Sequence, residues 1–347
     1  MPEPESTPIR KKEHIELCLS DEVSFKNKRN GFENYEFLHN AITEIDISKI
    51  NFQTEFLKKK INYPFLISCM TGGSSESENI NERLAIAANQ LNIALGIGSQ
   101  RQALENDLYH KTYMIIRQYA PGIPVLGNLG ASQIVLMNNL KQVQFLVDLV
   151  EADAMVIHVN PLQELLQRGG QPFFKGLLKK IEKLVKALKV PVIVKEVGAG
   201  ISPYAAEKLL EAGVSGIDVA GAGGTSWAGV ELLRNKQNGN MEFWDWGIPT
   251  SYCIKEIYKL KKKFEFTLIG SGGINHAADL AKAFALGADI AASARIILQT
   301  LEKTEVDGVC NLITSWFDTV RKIMFLTGSE SIKDLRKKKL VRKENLF

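Results

Sequence analysis

Short apolar runs recur along the chain, and after most of them apolar residues return every three or four positions. The runs are YPFLISCM (63–70), ALGIGS (94–99), VLGNLG (125–130), AMVIHVN (154–160), PVIVKEV (191–197), GIDVAG (216–221), TLIGSGG (267–273) and DIAASA (289–294). Most are apolar throughout rather than alternating, the pattern of parallel strands covered on both faces. Between them, NERLAIAANQL, ASQIVLMNNLKQVQFLVDLV and FKGLLKKIEKLVKAL carry helical spacing. Eight strand-then-helix units predict an α/β fold, a closed (β/α)8 TIM barrel. An open doubly wound sheet is the weaker alternative, because no strand leads into a G-x-G-x-x-G turn followed by an acidic residue.

Two features exceed a minimal barrel. Residues 1–62 read as an N-terminal arm and lead-in packed on a barrel spanning 63–327, and residues 328–347 read as a basic tail. The sixth βα connection, from Gly221 to a helix near 250, is long and rich in Gly, Asn and Trp. A connection of that length usually has a function or is mobile. A further amphipathic helix is expected over about 306–327, and no repeat beyond the βα unit is visible.

Composition narrows the class. A chain of 347 residues with 45% apolar and 24% charged residues is ordinary for a soluble globular enzyme, and a barrel can hold most of it as one domain. No run of 18 apolar residues or cleavable leader pattern is present, so the expectation is a cytoplasmic protein with no membrane partner. Cys18, Cys69, Cys253 and Cys310 lie far apart with no C-x-x-C pair, which argues for reduced thiols rather than zinc or disulfides. The net charge of +4 is mild, and the lysine runs are scattered without interleaved aromatics. They read as solvated faces, so no nucleic-acid partner is expected.

In a barrel the chemistry sits where strands end. Those ends carry Met70, Thr71, Gly72 and Gly73; Ser99, Gln100 and Arg101; Asn128; His158 and Asn160; Lys195; Gly221 to Thr225; Gly270, Ser271, Gly272 and Gly273; and Ala294 with Arg295. Any one alone reads equally well as a turn residue or helix cap; together they point to a site. GSGG is expected to open directly onto a helix, presenting backbone N–H groups and the helix dipole to a phosphate, with Ser271 adding a hydroxyl. The neighbouring AGAGGTSW turn adds Thr225, so a phosphorylated cofactor or substrate is expected on that side. Lys195 fits either a cation stabilising charge on a reduced flavin or a partner of Glu196.

HVNPLQE (158–164) admits two readings. Asn160, Pro161 and Gln163 match a helix N-cap, a first helical residue and a capping-box partner. That leaves His158 and Glu164 unexplained, and a carboxylate at the barrel mouth suits Mg2+. Likewise Arg10, Lys11, Lys12 and His14 form either a charged terminus or, with Ser99, Arg101 and His158, a cluster closing over a highly anionic group such as a diphosphate.

RKKEH (10–14), MTGG (70–73), GIGSQR (96–101), HVNPLQE (158–164), VKEVGAGIS (194–202), DVAGAGGTSW (218–227), DWGIPT (245–250) and GSGGI (270–274) together resemble the type 2, FMN-dependent isopentenyl-diphosphate delta-isomerases, over nearly the whole chain. The resemblance implies a homo-oligomer, tetramer or octamer, that interconverts isopentenyl and dimethylallyl diphosphate in isoprenoid biosynthesis using FMN, Mg2+ and NADPH as reductant. It implies FMN contacts at Met70, Thr71, Gly72, Ser99, Asn128, Lys195, Thr225, Gly270, Ser271, Gly272, Gly273, Ala294 and Arg295. It places the diphosphate on Arg10, Lys11, Ser99, Arg101 and His158, with Asn160 and Gln163 near the substrate and Glu164 on the metal. AASAR is the loosest match.

Moving an unactivated double bond requires protonation at one carbon and deprotonation at another, and these motifs hold no evident strong side-chain acid. Reduced FMN is therefore the expected acid–base centre, with Gln163, His158 and Lys195 as catalytic residues and no net electron transfer. Two competing readings are an FMN oxidoreductase of the 2-hydroxy-acid oxidase type and a non-catalytic FMN- or phosphate-binding barrel. The first lacks a His-Gly-Gly-Arg-like segment after the sixth strand; the second would not need Gln163, Glu164 and Arg101.

Overall fold

Eight parallel strands close into a barrel in a computed structural model that describes residues 7–236, 239–337 and 340–346. In chain order they are β1 (Phe65–Ile67), β2 (Ala94–Gly96), β3 (Val125–Gly130), β4 (Ala154–Val159), β5 (Val192–Glu196), β6 (Gly216–Asp218), β7 (Thr267–Ser271) and β8 (Ile290–Ser293). Pairing of Ser293 with Ile67 seals β8 to β1. The register sets Gly130 beside His158, His158 beside Lys195, and Lys195 beside Asp218, in one row around the barrel.

Strand alternation explains why polar residues occupy that row. Ala154 and Val156 fill the lumen with Leu66, Leu126 and Ile193, so two positions further along β4 and β5 come His158 and Lys195, at the upper rim. The other strand face packs on the surrounding helices and forms the larger apolar core. At the opposite end a hairpin, Thr54–Phe56 with Lys59–Ile61, inserts Phe56 and Ile61 into the lumen cluster. Burying these two side chains is worth roughly 1.5–3 kcal/mol each. Lys59 pins the hairpin to Asp153 at 2.8 Å and to the Ile123 carbonyl at 3.0 Å.

Several sequence expectations are refined. The helical run over 131–150 breaks into Ala131–Leu136 and Lys141–Leu149. The sixth connection contains a helix, Trp227–Arg234, and a 3-10 turn, Met241–Phe243, before the helix Thr250–Tyr258; residues 237 and 238 lie outside the described residues. The final long helix starts at Arg295 and bends at Thr304 and Glu305 before running to Leu326, with Arg83 bonded to Glu302 and Glu305 beside the bend. In the C-terminal segment Leu340–Arg342 pairs antiparallel with Tyr35–Phe37 of the lead-in. The basic N-terminal stretch is a helix from Thr7 to Leu19, and residues 1–6 lie outside the described residues. Among the described residues no helix is long and apolar enough to cross a membrane.

Candidate active site

Three helices bring chemistry to the strand ends: α1 (Thr7–Leu19), α2 (Pro161–Leu166) after β4, and α3 (Trp227–Arg234) after β6. Two cavities open there, of about 1090 and 870 Å³, and they share Lys11, His14, Cys69, Met70, Lys195, Val197 and Trp227. They are neighbouring lobes of one site.

The larger lobe lies against the glycine turns. Met70, Thr71, Gly72, Lys195, Thr225, Ser271, Gly272, Gly273, Ala294 and Arg295 all line it. The two turns interlock: a Cβ on Gly224 would meet the Gly273 nitrogen at 2.6 Å, and one on Gly273, whose φ is +66°, would meet the Gly223 carbonyl oxygen at 2.4 Å. Only glycine permits both the backbone angle and the approach. Gly270 sits apart, where a Cβ would strike Ile254 and Ala288 on the helix-facing side.

Two details of the phosphate expectation change. Ala277 begins the helix after GSGG, so Ile274, Asn275 and His276 intervene. The helix start that lines the cavity is instead that of Arg295, directly after Ala294. The Ser271 hydroxyl donates its one proton to buried Asp218, and its oxygen accepts from the Ala220 amide at 3.1 Å, so only its place in the turn faces a ligand. Arg295 donates through Nη2 to Ser24 at 2.8 Å, while its Nη1 is buried with no partner among the described residues.

The smaller lobe gathers Arg10, Lys11, Ser99, Arg101, Asn128, His158, Asn160, Gln163 and Glu164. Asn128, assigned to FMN by the sequence resemblance, and Ser99, assigned to both FMN and the diphosphate, therefore line this lobe rather than the larger one. Asn128 donates through Nδ2 to the Ile97 carbonyl at 3.1 Å, so its Oδ1 accepts from His158 Nδ1–H at 2.8 Å. His158 thus keeps Nε2 as the free ring position. Burial, helped by the charges of Lys195 and Lys11, brings the His158 pKa down to about 3, so the imidazole is neutral near pH 7.

Of the basic cluster on α1, Arg10, Lys11 and His14 face the site, while Lys12 is exposed and pairs loosely with Glu76 at 3.8 Å. Lys11 donates to the Gly72 carbonyl, to the Ser99 carbonyl at 2.7 Å and to Tyr113 Oη at 3.1 Å. Burial and the neighbouring Arg10 hold its pKa down at about 7. Burial and Arg101 lower that of Arg10. Burial and mutual repulsion thus both act against the charged forms of Arg10 and Lys11.

Capping does not account for HVNPLQE. Asn160 makes no side-chain cap bond; its Nδ2 donates to Gln163 Oε1 at 3.0 Å and Glu164 Oε1 at 3.3 Å. That leaves Asn160 Oδ1 buried without a partner among the described residues. Glu164 Oε2 accepts from the Gln171 amide at 2.7 Å. Nor is Lys195 paired with the Glu196 carboxylate: it donates to the Glu196 carbonyl at 2.6 Å, while that carboxylate gathers the backbone N–H groups of residues 197 to 200.

Sequence reasoning missed Glu231. It is fully buried, and its oxygens accept from Gln163 at 3.0 Å, His14 at 2.9 Å and Arg234 at 2.7 Å. Its burial works against ionisation, yet the hydrogen bonds from His14 and Gln163 and the Arg234 charge bring its pKa below the usual range. A glutamate inside the apolar α3 stretch VELL was the available signal. Asp218, beside Lys195 and under Ser271, was missed for the same reason.

Among known proteins, the family model described as FMN-dependent dehydrogenase matches residues 5–121 and 136–342. An isopentenyl-diphosphate delta-isomerase of Pelodictyon phaeoclathratiforme is 43% identical over 352 residues, covering 97% of this chain and 98% of its own. One from Chlorobium limicola is 42% identical over 96% of both chains, and one from Nostoc is 43% identical over 95% and 94%. Solved structures share the fold at lower identity. A mandelate oxidase superposes with a TM-score of 0.66 at 19% identity, covering 93% and 92% of the two chains. The flavin-binding domain of baker's yeast flavocytochrome b2 gives 0.68 at 20%, covering 93% and 79%. The chain belongs to the type 2 isopentenyl-diphosphate delta-isomerases, a branch of the FMN-dependent dehydrogenase family.

Proposed function

We propose that this protein interconverts isopentenyl and dimethylallyl diphosphate, with FMN in the larger lobe, the diphosphate and Mg2+ in the smaller, and NADPH as the reductant. The carrying observation is the contiguity of the lobes: a glycine-walled cavity and a cation-walled cavity meet at Lys195, Met70 and Trp227. The residues fit both groups. The buried, unpartnered Nη1 of Arg295 and the interlocked glycine turns suit the phosphate of FMN. Glu164 and the unpartnered Asn160 Oδ1 offer hard oxygen donors. No cluster of three or more His, Cys, Asp or Glu side chains forms a cage among the described residues, so substrate oxygens and water would complete the Mg2+ shell, as that ion prefers.

Reduced FMN, when bound, supplies an acid–base nitrogen beside the hydrocarbon without net electron transfer. Lys195, buried where the two lobes meet, would stabilise negative charge on the flavin ring. His158 turns Nε2 toward the diphosphate; a nearby anion would raise its pKa toward the imidazolium, in which Nε2 would donate to the phosphate. Arg10, Lys11 and Arg101 hold the same group from α1 and from the short helix Arg101–Glu105 that follows β2. Gln163 is fixed at both ends, Oε1 by Asn160 and Nε2 by Glu231. It therefore orients neighbours, leaving one amide proton for a ligand or relay.

An oxidase of 2-hydroxy acids has the same fold, but identity to such structures is 17–20% against 39–43% to the isomerases. The test is anaerobic incubation of purified protein with FMN, Mg2+, NADPH and isopentenyl diphosphate. Formation of dimethylallyl diphosphate is expected; a yellow protein with no conversion would favour the oxidoreductase.

A further inference from the structure

Gln133 lies on the short helix Ala131–Leu136 after β3 and lines the cation-walled lobe. Its Nε2 is buried and has no hydrogen-bond partner among the described residues. The side chain folds over Gly130: a Cβ placed there would be 2.1 Å from Gln133 Oε1 and 3.0 Å from His158 Nε2. The amide and the free nitrogen of the histidine therefore face the same space. A buried donor left unmade is costly, and in a folded protein it normally has a partner such as water, an ion or a ligand.

We infer that Gln133 is a further substrate-binding residue, donating its side-chain N–H to the diphosphate beside His158. The inference rests on the function proposed above. Charge explains the choice of residue. Arg10, Lys11 and Arg101 already line the lobe, and Arg10 lowers the pKa of Lys11 as Arg101 lowers that of Arg10. A further cation would repel these and share in the suppression. A neutral amide adds a hydrogen bond to an anion without that repulsion. Gln133 also reaches the group from the β3 side, whereas Arg10 and Lys11 come from α1.

The FMN-loaded protein tests this, with inorganic diphosphate in Mg2+ followed by calorimetry and isopentenyl diphosphate followed by turnover. Gln133→Leu, close in shape but without donors, is expected to weaken diphosphate binding and raise KM about tenfold, the loss expected for one hydrogen bond to a charged group. FMN content and kcat should stay within about threefold. Gln133→Glu keeps the shape and adds a negative charge, and is expected to weaken binding further than Gln133→Leu. Unchanged diphosphate affinity in either folded variant overturns the inference. So does a parallel fall in FMN content, melting temperature and kcat with KM unmoved, the signature of a scaffold residue. Because the calorimetry needs no turnover, failure of wild-type protein to isomerise would count against the proposed function alone.

Discussion

Gln163 on α2 donates its side-chain amide to Glu231 on α3 across 3.0 Å, joining the helix after the fourth strand to the helix after the sixth. The same carboxylate receives His14 from α1, so one buried anion sets the positions of three elements around the mouth. Glu231→Gln is expected to lower kcat at least tenfold and the melting temperature by several degrees. Breaking a buried ion pair by changing one partner costs about 3–5 kcal/mol, here eased by the remaining Arg234–Glu13 bridge. A thermal melt alongside turnover checks it; a variant indistinguishable from wild type would remove Glu231 from the site.

Glu164 and Gln163 should separate under metal titration. Glu164→Gln keeps shape and loses the charge that Mg2+ needs, so activity should fall by orders of magnitude at low Mg2+ and partly recover at high Mg2+, with FMN retained. Gln163→Ala should slow turnover with little change in metal dependence. Loss of thermal stability in Gln163→Ala with ordinary Mg2+ response in Glu164→Gln would restore the helix-cap reading.

Arm residues should divide by the lobes they touch. Arg10 lines the cation-walled lobe alone, whereas Lys11 and His14 line both. Arg10→Ala is thus expected to raise KM tenfold or more while FMN stays bound, and removal of residues 1–14 to weaken diphosphate and flavin together. Flavin fluorescence on dilution separates the two; equal retention of FMN in the truncated chain would place the cofactor on the barrel alone.

His158 gives a sign to acid sensitivity. Its folded pKa, about 3, lies below the free value of 6.5, so the folded form binds fewer protons. Its contribution is complete above about pH 6.5 and lost as pH falls toward 3, at up to about 1.4 kcal/mol per pH unit. Lys11, lowered from 10.5 to about 7, acts in a separate window, adding stability as pH rises through that range. Melting temperatures of ligand-free His158→Gln should fall less steeply than those of wild type between pH 6.5 and 5; identical slopes would mean that His158 is not held neutral.

Isomerisation returns the flavin unchanged, so many product molecules should follow one reduction of each FMN. Counting NADPH oxidised against product formed anaerobically decides it, since one NADPH per product means net redox chemistry.

Particular residues show where the sequence was legible. The strand runs worked because parallel strands buried on both faces have no polar interruption until they end, and the ends then announced themselves at Thr71, His158 and Lys195. Gly272, Gly273 and Gly224 were legible because close backbone approach leaves glycine as the residue that fits. The helix at Trp227–Arg234 was hidden because its first turn reads as the tail of a glycine loop. Glu231 and Asp218 were hidden more deeply, since a carboxylate is a fact of sequence while its partners, His14 and Lys195, come from elements distant in the chain. Ser271 was found, but not the commitment of its hydroxyl to Asp218 across the barrel.

Phe56 and Ile61 stop the lower end of the lumen. A barrel stopped at one end has a single doorway, so substrate and product must pass through the mouth that α1 overhangs. Whatever closure shields the chemistry from water has to be undone at every cycle. Lys11 and His14, which line both lobes on the overhanging helix, then stand beside the one route in and out, so their release would join proton transfer in setting the rate of turnover.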